Sequence, residues 1–238
     1  MLNLQCQIGK IYAFCLDILF PQKCILCGEF GGLVCLECAK SIEKIKTLTC
    51  PQCGKISEDG RYCKICRSNK KVILKGILVS AHYDSEIVKK MIYGLKYDGL
   101  TDLSEMLAEL LIEKIEKRFD PQNTVIVPVP LHIKRKNRRG FNQSELLARY
   151  VSKKLGFPGG NALVRIKNTK SQAQLPKSER LTNISGAFEC EDEELVRKKR
   201  VILIDDVVST GATLNEAANA LKMAGAKEVW GVVVARNI

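Results

Sequence analysis

Val201-Ile202-Leu203-Ile204-Asp205-Asp206-Val207-Val208-Ser209-Thr210-Gly211-Ala212-Thr213 is the stretch that decides the fold. Four apolar β-formers run into two carboxylates, then a short loop of small and hydroxyl residues, then a helical pattern. That order reads as a buried strand, Lys199 to Asp205, delivering a phosphate cradle to a helix N-terminus. Free backbone N–H groups of Ser209, Thr210, Gly211, Ala212 and Thr213 can ring a phosphate monoester, with the hydroxyls adding donors. Gly211 lets the backbone approach closely. Asp205 and Asp206 fall where the strand ends, the place where open α/β sheets bind ligands. Ionised carboxylates only accept hydrogen bonds, so they suit the vicinal hydroxyls of a sugar better than its phosphate. The expected ligand is a phosphorylated sugar with free hydroxyls.

An apolar strand ending in two acids also suits the Mg²⁺-holding strand of a P-loop ATPase, which requires a G-x-x-x-x-G-K-[ST] loop. The Gly-Lys pairs here are Gly9-Lys10 and Gly54-Lys55, followed by Ile11 and Ile56, so that reading fails.

Around this run, strands alternate with helices. Gly76 to Tyr83, Thr124 to Leu131, Asn161 to Ile166 and Glu228 to Ala235 read as strands. Ser85 to Tyr97, Leu103 to Arg118, Asn142 to Leu155 and Leu214 to Ala224 read as helices. The alternation predicts an α/β fold with a mainly parallel sheet flanked by helices over residues 75–238. Residues 167–187 lack periodicity and read as a long loop. Residues 1–22 read as a leading amphipathic helix closed by Pro21, with membrane-surface contact as the minor alternative. No apolar run reaches the roughly 18 residues of a membrane span.

The second informative feature is cysteine. Of eleven, eight form C-x-x-C pairs: Cys24/Cys27, Cys35/Cys38, Cys50/Cys53 and Cys63/Cys66. Without a secretory signal, this usage fits metal-bound thiolates in a reducing cytoplasm better than disulfides. Two pairs make one closed tetrahedral Cys₄ site, so eight ligands predict two structural zinc ions in a double zinc ribbon over residues 23–70. Short spacers favour sequential pairing, with an interleaved arrangement left open. Cys6, Cys15 and Cys190 read as thiols without chemistry.

The formal net charge is +12. Residues 132–180 carry thirteen Lys or Arg against two acids, and Lys134 to Arg139 hold five cations in six positions. Such a field predicts polyanionic partners: pyrophosphate, a phosphorylated sugar or nucleic acid. In the zinc module Lys55, Arg61, Lys64 and Arg67 are further candidates for nucleic-acid contact. Aromatic residues are only 6% of the chain and do not cluster in the sequence, which argues against stacking platforms. His132 and His82 read as hydrogen-bonded structural residues.

The run from Val201 to Thr213 resembles the signature by which type I phosphoribosyltransferases bind 5-phosphoribosyl 1-pyrophosphate (PRPP). The chain resembles the ComF family of competence and DNA-utilisation proteins over nearly its whole length. The matching pieces are the cysteine pairs, Val127-Pro128-Val129-Pro130-Leu131, Arg139-Gly140-Phe141-Asn142-Gln143 and the PRPP run. The resemblance implies a type I phosphoribosyltransferase fold behind the double zinc ribbon. It implies that Asp205 and Asp206 bind the ribose 2′- and 3′-hydroxyls, that Ser209 to Thr213 bind the 5′-phosphate, and that Mg²⁺ accompanies PRPP. It places Arg139 and Gly140 on pyrophosphate, with Arg135 and Arg138 as weaker candidates, and Lys177 and Arg180 on the mobile catalytic loop. It implies a cytoplasmic role with single-stranded DNA and the DNA-uptake machinery. The alternative is an active transferase of nucleotide salvage, its zinc ribbons purely structural. No segment reads as a purine or pyrimidine acceptor site.

Overall fold

The computed structural model describes residues 22–69, 72–169 and 184–237. Its elements, in chain order, begin with two short helices of the cysteine module, α1 (Leu36–Lys40) and α2 (Lys64–Asn69). The α/β part follows with β1 (Ile77–His82), α3 (Glu86–Tyr97), α4 (Leu103–Ile115), β2 (Thr124–Pro128), α5 (Ile133–Arg139) and α6 (Gln143–Leu155). It ends with β3 (Leu163–Arg165), β4 (Phe188–Cys190), α7 (Glu193–Val196), β5 (Arg200–Val208), α8 (Ala212–Met223) and β6 (Glu228–Arg236).

The main sheet has the order β1-β6-β5-β2, with every pair parallel. A parallel strand is covered on both faces, so it reads as a continuous apolar run. Val201, Ile202, Leu203 and Ile204 obey this, each with no exposed surface. Ile202 and Ile204 pack with α3, α4 and α6, while Val201 and Leu203 pack with α8. The apolar stripe of α4 is buried at Leu103, Leu107, Leu110 and Leu111. Helix α6 is opened by Asn142, whose side chain accepts from the Ser144 amide, and closed by Gly156 in the left-handed region.

The structure moves several boundaries. The central strand continues through both carboxylates to Val208, paired with β6 beyond the end of β2, whose ladder stops at Pro128 and Ile204. The predicted strand at Asn161 to Ile166 is shorter and lies outside the parallel sheet: β3 pairs antiparallel with β4 in a side ribbon. The cation-rich segment between the strand at Thr124 and the helix at Asn142 forms helix α5, begun by His132, whose Nδ1 accepts from the Lys134 amide at 3.3 Å. Lys and Arg are good helix formers, and Gly140 (φ 86°) closes the turn. The leading helix at 1–22, with Cys6 and Cys15, lies outside the described residues but for Gln22. Among the described residues no helix is long and apolar enough to cross a membrane.

The cysteine module docks along β1. The Ile45 amide donates to the Ser80 carbonyl at 2.8 Å, and the Ile77 amide to the Gly60 carbonyl at 3.2 Å. Trp230 of β6 closes the seam, 5.6 Å edge-on from Phe119, with the Arg61 guanidinium 5.7 Å above its ring. Arg61 also pairs with Asp59, and its side chain remains half-exposed.

Candidate functional site

Both metal sites assemble as sequential pairs. Cys24, Cys27, Cys35 and Cys38 have all four sulfurs within 4.8 Å of one another, and so do Cys50, Cys53, Cys63 and Cys66. Cys27 and Cys35 are 3.7 Å apart at sulfur, Cys53 and Cys63 3.8 Å. A tetrahedron with zinc–sulfur bonds of about 2.3 Å has edges of about 3.8 Å, whereas a disulfide needs about 2.05 Å. Each cluster joins a tight knuckle (Gly28 N–H to Cys24 O, Gly54 N–H to Cys50 O) to a helical pair on α1 or α2. Burial pushes the Cys24 and Cys50 thiols up, but the backbone N–H groups aimed at each sulfur outweigh it and bring both down to about 6. The donor set and its spacing fit zinc. Four sulfurs would fill a zinc ion's tetrahedron, so an ion held there would supply folding energy rather than an open catalytic position.

The second site lies at the C-terminal edge of the sheet. Asp205 and Asp206 differ sharply there. Asp206 is buried; its Oδ1 accepts from the Val207 amide at 2.7 Å, and its Oδ2 pairs with Lys96 Nζ at 2.6 Å. Asp205 is half-buried; its Oδ1 accepts from Ser144 Oγ and the Asp206 amide, both at 2.9 Å. Its other oxygen makes no hydrogen bond among the described residues. Burial first, and then the Asp206 charge, push the Asp205 carboxyl up to about 7. Burial pulls Lys96 down, but its pairing with Asp206 prevails and holds the ammonium above its usual value.

Gly211 caps α8 at φ 79°, and a Cβ there would sit 3.3 Å from Ile77 Cδ1 and 3.5 Å from Tyr62 Oη. The left-handed backbone is what favours glycine here, and a Cβ would need Ile77 to shift by only a few tenths of an ångström. The amides of Ser209, Thr210 and Gly211 donate to nothing among the described residues, while the Ala212 amide reaches Thr210 Oγ1 at 3.4 Å. Three free donors, with Thr213 in the first turn of α8, make an anion cradle beside the carboxylates.

Arg139 Nη1 donates to Gln143 Oε1, and the guanidinium lies 5.7 Å from the Tyr97 ring centre. Burial lowers its pKa, and the charge of Asp206 opposes that. The Gly140 amide already donates to Lys136 O at 2.7 Å, so this residue serves the turn more than a ligand. Lys177 and Arg180 lie outside the described residues.

Three residues escaped the sequence reading. Lys96 and Ser144 reach the acids from α3 and α6, over separations no local motif encodes. Arg165, at the end of β3, is 8% exposed, and its Nε makes no hydrogen bond among the described residues. Its Nη2 donates to Thr169 Oγ1, while Arg135 donates to the Thr169 carbonyl. Burial, and then Arg135, push Arg165 down to about 10, with Asp205 opposing. The two guanidiniums thus meet at Thr169, and the Arg165 charge senses the Asp205 carboxylate.

Comparisons with known proteins match two family models to the chain. Residues 89–238 match the phosphoribosyl transferase domain and residues 15–67 the double zinc ribbon domain. Competence protein F of Haemophilus influenzae is 30% identical over 228 residues, covering 86% of this chain and 98% of that protein. Competence protein ComFC of Bacillus subtilis is 29% identical, covering 79% and 77%. DNA utilization protein YhgH of Escherichia coli K12 is 32% identical over 224 residues, covering 88% and 96%.

Proposed function

The chain belongs to the ComF family of competence and DNA-utilisation proteins, a double zinc ribbon joined to a phosphoribosyltransferase domain, and on that premise we propose that it binds PRPP and handles imported single-stranded DNA. The observation that carries the PRPP reading is the pairing of free amides at Ser209 to Gly211 with a half-buried, part-unsatisfied carboxylate at Asp205. In this reading the amides and hydroxyls of the cradle hold the 5′-phosphate. Asp205 accepts from a ribose hydroxyl, while Asp206, held by Lys96, fixes the shape of the strand end. Arg139, with Arg135 and Arg165 behind it, faces the pyrophosphate, where fixed cations offset the charge of the leaving group. Mg²⁺, held by PRPP oxygens and water, would neutralise more of that charge. We place the zinc module at residues 23–70 and the phosphoribosyltransferase-type part from about residue 75 onward.

Calorimetric titration of zinc-loaded protein with PRPP and Mg²⁺, beside Asp205→Asn, tests the reading. Saturable binding weakened strongly in the variant is expected. A folded wild type that takes up no PRPP would overturn it.

Transfer to an acceptor is the second reading, favoured by a cavity of about 460 Å³ between the 44–49 segment and Ile77, Val79, His82 and Arg236. Ile77 joins this cavity to the Gly211 loop. Release of pyrophosphate from PRPP on adding a nucleobase or nucleoside would support transfer, and none with any base would count against it.

A further inference from the structure

Tyr93 and Tyr97 stand one turn apart on α3, so their side chains share a face. Their ring centres are 4.8 Å apart at 44°, and the residues remain 56% and 63% exposed. A lone exposed ring needs no explanation, but two adjoining ones make an apolar platform that water solvates poorly. The Arg139 guanidinium borders the Tyr97 ring at 5.7 Å. Lys96, the neighbour of Tyr97, is the residue paired to Asp206. The platform therefore abuts the candidate PRPP pocket. On its other side Tyr93 lines a cavity of about 470 Å³ with Ile25, Lys89, Lys90 and Leu100.

Charge surrounds these rings. Helix α5 brings Lys134, Arg135, Lys136, Arg138 and Arg139. The nearby acids are mostly occupied: Glu86 pairs with Lys90 at 3.1 Å and Glu145 with Lys136 at 3.0 Å, leaving Asp98 at the end of α3. Lys134 and Arg138 have no acidic partner among the described residues. Burial, and then the neighbouring charges of Arg138 and Arg139, lower the pKa of Arg135. A polyanion relieves that repulsion.

Exposed ring faces beside a run of cations are the two components of a single-strand site, since every base offers a face to stack and every phosphate a charge. A duplex hides its base faces, and an acidic peptide would use the cations but not the rings. We propose that Tyr93, Tyr97 and α5 form a single-stranded nucleic-acid site, with bases stacked on the two tyrosines and phosphates on Lys134 and Arg138. The strand then runs toward the mouth of the PRPP pocket. This site gives the DNA-handling role a place on the molecule and rests on that role.

The test is fluorescence anisotropy of full-length, zinc-loaded protein with a labelled oligothymidylate of about twenty nucleotides, enough to span such a site. Tyr93→Ser/Tyr97→Ser is expected to weaken binding roughly tenfold or more, from base–aromatic stacking. Its salt dependence and its affinity for a duplex of the same length stay unchanged. Lys134→Gln/Arg138→Gln is expected to lower the slope of log K against log salt by about 1.4, two single-strand phosphate contacts at about 0.7 each. Both pairs are exposed, and thermal melting checks that the variants fold. Equal oligothymidylate affinity in the tyrosine variant, or an equal loss for duplex, overturns the site while leaving DNA handling intact. A wild type that binds PRPP but no oligothymidylate overturns both the site and DNA handling, and leaves the PRPP reading standing.

Discussion

Removing Lys96 tests the electrostatics of the pocket most directly. Asp206 is 3% exposed, and the Lys96 side chain 20%. Lys96→Met keeps most of the stem but strands a buried carboxylate beside a second one. Breaking a buried pair by deleting one partner costs about 3–5 kcal/mol, because the remaining charge is left uncompensated. Arg139 lies near enough to offset part of this, so we expect about 3 kcal/mol at about pH 8.5. At a urea slope of about 2.5 kcal/mol/M, the midpoint falls by about 1.2 M. Trp230, the single tryptophan, is 5% exposed and reports unfolding by fluorescence. The sign with pH follows from the protons. Without Lys96 the carboxylate pair binds its first proton more tightly in the folded state than in the unfolded state, above the value of about 7 that Asp205 already has. The folded variant is then penalised most when both acids are ionised, and its deficit shrinks as pH falls to about 6. Lys96→Met/Asp206→Asn, which removes both charges, should recover most of the loss. A single-variant loss below about 1 kcal/mol, a deficit identical at both pH values, or a double variant worse than the single would refute the reasoning.

Three further outcomes follow from the same geometry. Mass spectrometry under native conditions should find two zinc ions per chain; chelation should change Trp230 fluorescence, because Arg61 and Gly60 dock the second cluster beside it. Gly211→Ala should cost about 1–3 kcal/mol in urea unfolding, from the left-handed backbone it would force on an alanine, and should abolish PRPP binding by calorimetry. PRPP affinity should rise across about pH 6 to 8 as Asp205, raised to about 7, becomes the carboxylate that accepts a hydroxyl; Asp205→Asn should remove that part of the pH dependence.

What the sequence disclosed was local. The Val201 to Ile204 run, the small-residue loop after it and the cysteine spacings each encode their structure within a dozen or so residues, and each is found where expected. What it concealed was either long-range or masked by charge. Lys96 and Ser144 meet the acids only because α3 and α6 pack on one face of the sheet. Arg165 is buried with an unpartnered Nε only because β3 pairs with β4 outside the main sheet. Helix α5 lacks the apolar periodicity that betrays a buried helix, because none of its residues is buried. The tyrosine platform has a helical spacing that was visible, but overall aromatic content averages such a pair away.

The cysteine module also guards the rim of the sheet. β1 is an edge strand, and an open edge invites the strand of another molecule to pair with it. Lys44 bridges to Ala81 and Arg61 to Gly76, so the linker between the two cysteine clusters and the second cluster's lobe occupy that edge. At the far rim, β2 is covered by the chain around Gly159, which bridges to Ile126. Only the first cover depends on metal. Loss of zinc would then threaten more than one small module: it would bare the edge of β1, where a strand of another copy can pair.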